Sequence, residues 1–227
     1  SMSTNAATPT TPPSTTTYYN YFAFGSNMCS STMTALRSLN PVAASAAILP
    51  NHSLRFNVPG TALIEPSWAS VEPVGAGGVV PQTSISTVNS NDQPSHVHGV
   101  LYKLTEEDFL RVCNTEGIPF AYTLHRCRVV PYNGDGEKAG YDALLDQSVT
   151  PATTSDPSNG RGAGEMALTK SLFAYTLRAS RKEWRQGNDI PPSRAYLNVL
   201  IRGAHEFQLD DEYLQYLKGI VPGNTIG

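Results

Sequence analysis

The stretch Tyr18-Tyr19-Asn20-Tyr21-Phe22-Ala23-Phe24, followed at once by Gly25-Ser26-Asn27, decides how this chain is read. A short apolar and aromatic run bounded by a turn signal has the pattern of a buried strand. Beyond the turn, Ser30 to Leu39 puts Met33, Leu36 and Leu39 on one face and predicts a helix. A glycine turn that feeds a helix N-terminus gathers several backbone N–H groups in one place. Gly25, Ser26 and Asn27 therefore form a candidate cradle for a carboxylate or a developing oxyanion.

Working outward, Ser53–Val58 alternates Leu54, Phe56 and Val58 and reads as a strand, with Ala69–Pro73 as a further short one. Val97–Leu104 is a strand, and Thr105 caps a helix whose first turn carries Glu106 and Glu107, where the helix dipole favours them. That helix carries Phe109, Leu110 and Val112 and stops at Glu116-Gly117-Ile118-Pro119. Strands are predicted at Tyr122–Tyr132, Gly140–Leu145 and Tyr196–Ile201. Helices are predicted at about Lys170–Gln186 and at Asp210–Lys218, the last with Asp210 as N-cap. Residues 1–17 are, apart from Met2 and Asn5, all Ser, Thr, Pro and Ala and read as a disordered tail. Polar Gly- and Pro-rich stretches at 75–95 and 147–165 read as insertions in a single domain spanning 18–227. The mixture is α+β, a small mixed β-barrel with flanking helices.

Composition narrows the function. Charged residues make up 15% of the chain, below the roughly one quarter of an average domain, and the balance is mildly acidic at -3. This argues against nucleic acid as the main partner. No apolar run reaches the roughly 18 residues that span a bilayer, so no membrane role is expected. Cys29, Cys113 and Cys127 have no CxxC spacing, and the five histidines have no HxxxH or HExxH spacing, so no metal site is predicted. His98 and Arg202 are the outlying residues placed to approach a pocket. Arg178, Arg181, Lys182 and Arg185 read as a solvated helix face. The expectation is a soluble cytoplasmic protein acting on a small-molecule substrate without a cofactor, with a homodimer left open.

The chemical candidate is Glu116, which lies at a helix end in apolar company from Ile118, Phe120 and Tyr122. A carboxylate desolvated there has a raised pKa and serves as a general acid or base. The alternative is a solvated helix-terminal glutamate.

The run YFAFGSN at Tyr21–Asn27 resembles the YFAYGSN signature of the γ-glutamylcyclotransferase family. Further segments are similar to that family in the same order: HSLRFNV at His52–Val58, ASVEP at Ala69–Pro73, VHGVLYKLTEEDFLRVCNTEG at Val97–Gly117, and AYLNVLIRGAHEFQLDDEYLQYLKGI at Ala195–Ile220. The resemblance implies a small barrel with one pocket beside the GSN turn and no metal or cofactor. It also implies a reaction in which the substrate's α-amine attacks its own γ-carbonyl, closing 5-oxoproline and releasing an amine. Carried over by residue, Gly25, Ser26 and Asn27 are the cradle, Tyr21 and Phe24 line it, and Glu116 moves the proton. Phe24 stands where the family usually has Tyr, and with Phe120 and the insertions it supports a second reading. In that reading a biosynthetic cyclase or tailoring enzyme closes a ring on an apolar, aromatic or prenylated intermediate. A non-catalytic binding module is the third reading.

Overall fold

The computed structural model describes residues 16–74, 94–148 and 171–224. Apart from their edges, the tail and the two insertions read from composition lie outside them.

The first strand, β1 (Tyr18–Ala23), pairs antiparallel with β5 (His96–Thr105) over its whole length, Tyr18 opposite Thr105 and Ala23 opposite Val100. β5 continues onto β2 (Ala43–Pro50), β2 onto β6 (Tyr122–Pro131), and β6 onto β7 (Leu172–Ala179), all antiparallel. A single parallel contact, Tyr21 opposite Tyr175, closes β7 back onto β1. The result is the closed, mixed five-stranded barrel in the order β1-β5-β2-β6-β7, and closure removes the exposed edges an open sheet would carry. β3 (His52–Thr61) and β4 (Glu65–Pro73) form a separate two-stranded arm. Ser53 to Val58 of β3 are all buried, so both faces of that strand are covered. Its interior charge, Arg55, is matched by Asp189 at 2.6 Å.

Helix α1 (Glu106–Thr115) follows β5 directly and is capped as expected, the Thr105 hydroxyl accepting from the Asp108 N–H. Phe109 and Val112 face the core, while Leu110 is exposed. The last helix, here α5 (Asp211–Gly219), is capped by Asp210, whose Oδ1 accepts from the Glu212 and Tyr213 N–H groups.

Four expectations are corrected. Ser30–Leu39 is not a regular helix: one wide π-type turn spans Thr32–Leu36, with Met33 and Leu39 buried but Leu36 exposed. Of the helix predicted at Lys170–Gln186, Lys170 lies outside the described residues and the rest holds β7 followed by a five-residue helix, α3 (Lys182–Gln186). Ala174 and Thr176 alternate inward there, and Phe173 lies outside under the guanidiniums of Arg126 and Arg128. A period of two wins over the helix-like spacing of Leu172, Phe173 and Leu177. Gly140–Leu145 lies within helix α2 (Ala139–Ser148). There Gly140 lets the helix come so close to His98 that a Cβ would sit 2.2 Å from its ring. Tyr196–Ile201 lies within helix α4 (Arg194–Glu206). Its run of β-formers is overridden by the Ser193 cap, which accepts from the Tyr196 N–H at 2.9 Å. The helical period that buries Leu197, Leu200 and Ala204 acts in the same direction.

Candidate functional site

β1 delivers Tyr21 and then Phe24 to a short 3₁₀ turn, Ser26–Met28. The turn closes through the Met28 N–H on the Gly25 carbonyl at 3.0 Å and the Cys29 N–H on the Ser26 carbonyl at 3.1 Å. Its internal bonds thus consume the N–H groups of Met28 and Cys29 and leave those of Gly25, Ser26 and Asn27 unused by the turn. The Tyr102 hydroxyl is shared between the carbonyls of Asn27 (3.1 Å) and Met28 (3.3 Å) and fixes the turn on the barrel. From the other side α4 presses in at Gly203, where a Cβ would lie 2.7 Å from that of Met28. Only glycine permits that approach.

The second half comes from the end of α1. The Glu116 N–H still bonds to the Val112 carbonyl at 2.9 Å, and Gly117, at φ +68°, ends the helix in the left-handed conformation that favours glycine. The Glu116 carboxylate is thereby turned toward the GSN turn, where the Asn27 amide donates to its Oε1 at 2.7 Å. The same amide nitrogen donates to the Tyr21 hydroxyl at 2.9 Å. Arg37 completes the arrangement, its Nε donating to Asn27 Oδ1 at 2.7 Å and its Nη2 forming an ion pair with Glu116. Burial pushes the Glu116 pKa up, and the Arg37 guanidinium and the Asn27 amide pull against that shift. Tyr21 is pushed strongly up, first by burial and then by the Glu116 charge, so its hydroxyl stays protonated.

The cavity at this point has two parts. The inner one, about 20 Å³, is lined by Tyr21, Phe24, Gly25, Ser26, Asn27 and Glu116, with Tyr196 and Ala69 among the rest. It is about the size of one water. It shares Ser26, Glu116, Tyr122 and Tyr196 with an outer cleft of about 360 Å³ that Arg37 and Trp68 also line. The β3–β4 arm is fastened to this mouth by two bonds at Ala69. The Tyr122 hydroxyl donates to its carbonyl at 2.9 Å, and its N–H donates to the Tyr196 hydroxyl at 3.3 Å.

Seven of the eight residues singled out from sequence meet at this cavity: Tyr21, Phe24, Gly25, Ser26, Asn27, Glu116 and Tyr122. Phe120 does not. Its side chain is 81% exposed and lines neither part, because the chain turns back between Gly117 and Ala121 and only those two flanks reach the cleft. His98 and Arg202 are elsewhere too. His98 is buried against Tyr132 and Tyr213, and Arg202, on α4, donates to the Cys29 sulfur at 3.2 Å. Arg178 is not on a helix face but on β7, ion-paired to Glu72 at 2.6 Å. Sequence reading missed Arg37 and Tyr196. Arg37 sits in the irregular turn with no periodic signal, and Tyr196 was hidden by reading α4 as a strand. Among the described residues no cluster of three or more His, Cys, Asp or Glu side chains is arranged to hold a metal ion.

Comparison with known proteins places this arrangement. The sequence profile of the AIG2-like family matches residues 96–217. The gamma-glutamyl cyclotransferase verK of Clonostachys rogersoniana is 33% identical over 117 residues, covering 52% of this chain and 64% of that protein. The gamma-glutamyl cyclotransferase gliK of Claviceps purpurea is 29% identical over 190 residues, covering 84% of this chain and 64% of that protein. The chain thus spans just under two thirds of the length of these curated relatives. A solved structure of a gamma-glutamyl cyclotransferase superposes with a TM-score of 0.56 at 18% identity, covering 93% of this chain and 92% of that one. With the family profile covering more than half of its residues and the barrel shared, this chain belongs to the AIG2-like family and has the gamma-glutamyl cyclotransferase-like fold.

Proposed function

We propose that the chain catalyses an intramolecular cyclisation of a γ-glutamyl amide, releasing an amine and 5-oxoproline. The observation that carries this reading is the 2.7 Å bond between Glu116 and Asn27, which sets a buried carboxylate beside the backbone donors of the turn. In the reaction the substrate's α-amine attacks its γ-carbonyl carbon and a C–N bond forms. The negative charge that develops on the carbonyl oxygen is met by N–H groups of Gly25–Asn27. Glu116, as the carboxylate, takes a proton from the attacking nitrogen and passes it to the departing nitrogen. The original amide C–N bond then breaks. Arg37 favours the ionised form of Glu116 against the effect of burial. The inner cavity, about the size of one water, has room only for the tip of the reacting group beside the turn, such as the γ-carbonyl oxygen. The outer cleft, with Trp68 at its wall, has the volume to hold the rest of the γ-glutamyl amide in a near-attack shape.

The names of the fungal relatives support the γ-glutamyl reading. Within the site, the Tyr21 hydroxyl, Asn27, Arg37 and Glu116 supply polar partners that a zwitterionic γ-glutamyl group needs. The reading as a cyclase for an apolar intermediate loses the support it drew from Phe120, which faces away from the cavity. A panel of γ-glutamyl amides, each with an N-acetylated counterpart, tests the mechanism. The free-amine substrates are expected to give 5-oxoproline and equimolar amine, and the N-acetyl forms none. Amine release from both forms without 5-oxoproline would mean simple hydrolysis and contradict the cyclisation.

A further inference from the structure

Trp68 lies on β4 between Ser67 and Ala69, both buried, and with a strand's period of two its side chain takes the opposite face. There it stands at the wall of the outer cleft, with 37% of its surface exposed. Among the described residues no ring, cation or hydrogen-bonding side chain meets the indole. The other tryptophan, Trp184, carries the Arg181 guanidinium over its ring at 4.9 Å. An apolar side chain exposed singly on a convex surface is ordinary. This one is bare in the concave site that leads to Glu116, where an indole face is a platform for another aromatic ring.

The rest of the wall decides what charge the occupant can carry. Gly117 and Ala121 bring no polar side chain, and the Thr115 hydroxyl is spent on the Arg111 carbonyl of its own helix at 2.9 Å. The hydroxyls of Tyr122 and Tyr196 are bonded to the Ala69 backbone. Arg37 is the one cation among the described residues that line the cleft, and it is already bound to Asn27 and Glu116. A carboxylate on the amine half would find no free counter-charge and would share the cleft with that of Glu116, so its desolvation would go uncompensated. The volume, about 360 Å³, falls within the range of roughly 300–1,000 Å³ usual for small-ligand sites. Resting on the γ-glutamyl reading above, we propose that the outer cleft selects γ-glutamyl amides of uncharged aromatic amines over those of amino acids and peptides, with Trp68 as the specificity-determining residue that stacks on the amine's ring.

Release of 5-oxoproline by the full chain from three γ-glutamyl amides tests this. They are the phenethylamide, the ethylamide, which lacks the ring, and γ-glutamylphenylalanine, which adds a carboxylate to the phenethylamide. The kcat/KM of the phenethylamide is expected to exceed that of each of the others by about tenfold. Trp68→Ala is expected to bring the phenethylamide-to-ethylamide ratio down to near one, chiefly through KM, and Trp68→Phe to keep most of it. Should Trp68→Ala fail to fold, Trp68→Leu, which is apolar but has no ring face, is judged by the same ratio. Turnover of all three amides with either wild-type ratio near one overturns the assignment while leaving the cyclisation intact. So does a wild-type phenethylamide-to-ethylamide ratio in the variant without the ring, since a merely structural role would slow both amides alike. No 5-oxoproline from any of the three overturns the γ-glutamyl reading, and the assignment with it.

Discussion

Arg37 is the residue whose removal reports most on the chemistry of the pocket. It pairs with a carboxylate that burial alone holds above the ordinary range. A general base works only when ionised, so the acid limb of the kcat/KM profile should lie at the pKa of Glu116. Arg37→Met removes the charge that opposes the shift, and the acid limb is expected to move to higher pH. Arg37→Lys, which keeps a cation but loses the two-point contact, should move it less. The loss of a charged partner at a mostly buried carboxylate also costs on the order of 2 kcal/mol of stability. That cost should shrink at acid pH, where Glu116 is neutral and needs no counter-charge. A pH–rate profile of the two variants alongside thermal melts at several pH values checks both. A limb that does not move would remove Arg37 from the proton chemistry. Glu116 and the GSN turn were legible in the sequence because each is set by a contiguous motif whose local backbone fixes the side chain. Arg37 was not, since only the tertiary fold brings an irregular turn after β1 against the end of α1.

At the level of elements, the arm and α4 are held by contacts that substitution can test separately. Ser193 is the N-cap of α4 and also bonds Glu65 on β4 through its hydroxyl and its N–H. Ser193→Ala removes a cap and leaves the Glu65 carboxylate short of a donor, so a loss of about 1–2 kcal/mol is expected by denaturant titration. Arg55 and Asp189 tie β3 to the segment after α3, with side chains 3% and 4% exposed. Breaking such a pair leaves a buried unpaired charge, and Arg55→Met is expected to cost about 3–5 kcal/mol. The Arg55→Met/Asp189→Leu double variant should lose less than the sum of the single changes. Additive losses would mean that the pair does not couple. Strands next to strong turn signals, such as β1 and β5, could be read from sequence with little error. Elements misread were those where two signals compete. In α4 β-forming residues lie on a helical period behind a serine cap, and in β7 the outward Phe173 is stabilised by two arginines on a neighbouring strand, which no local pattern announces.

For the molecule as a whole, the barrel class with its flanking helices was legible, because alternating strands and capped helices follow one another along the chain. The closure of β7 onto β1 rests on the parallel pairing of Tyr21 with Tyr175 and on side-chain bonds from Thr176 to the Phe22 carbonyl and from Asn20 to the Phe173 carbonyl, all between distant segments, and could not be. The core built this way encloses His98, whose pKa burial lowers to about 3. In the unfolded chain this imidazole titrates near 6.5, so between 6.5 and 3 the unfolded state binds the extra proton. Stability is therefore lost as pH falls through that window. The other lowered histidines (His52, His96 and His125) act in the same sense, while the raised carboxyls of Glu72, Glu116 and Asp189 act in the opposite one. A variant isolates the effect. His98→Phe loses the Tyr132 bond and should be less stable at neutral pH, but its Tm should fall less than that of wild type as the solution is acidified. Parallel Tm curves would mean that His98 titrates normally. The central claim concerns the narrow chamber where a buried glutamate faces the GSN turn. It is tested most directly by following 5-oxoproline from a γ-glutamyl amide with the wild-type chain and with Glu116→Gln, which keeps shape and removes the proton acceptor. The account predicts product from the wild type and a loss of about a hundred- to ten-thousand-fold in the variant; 5-oxoproline formed equally fast by both, or by neither, would contradict it.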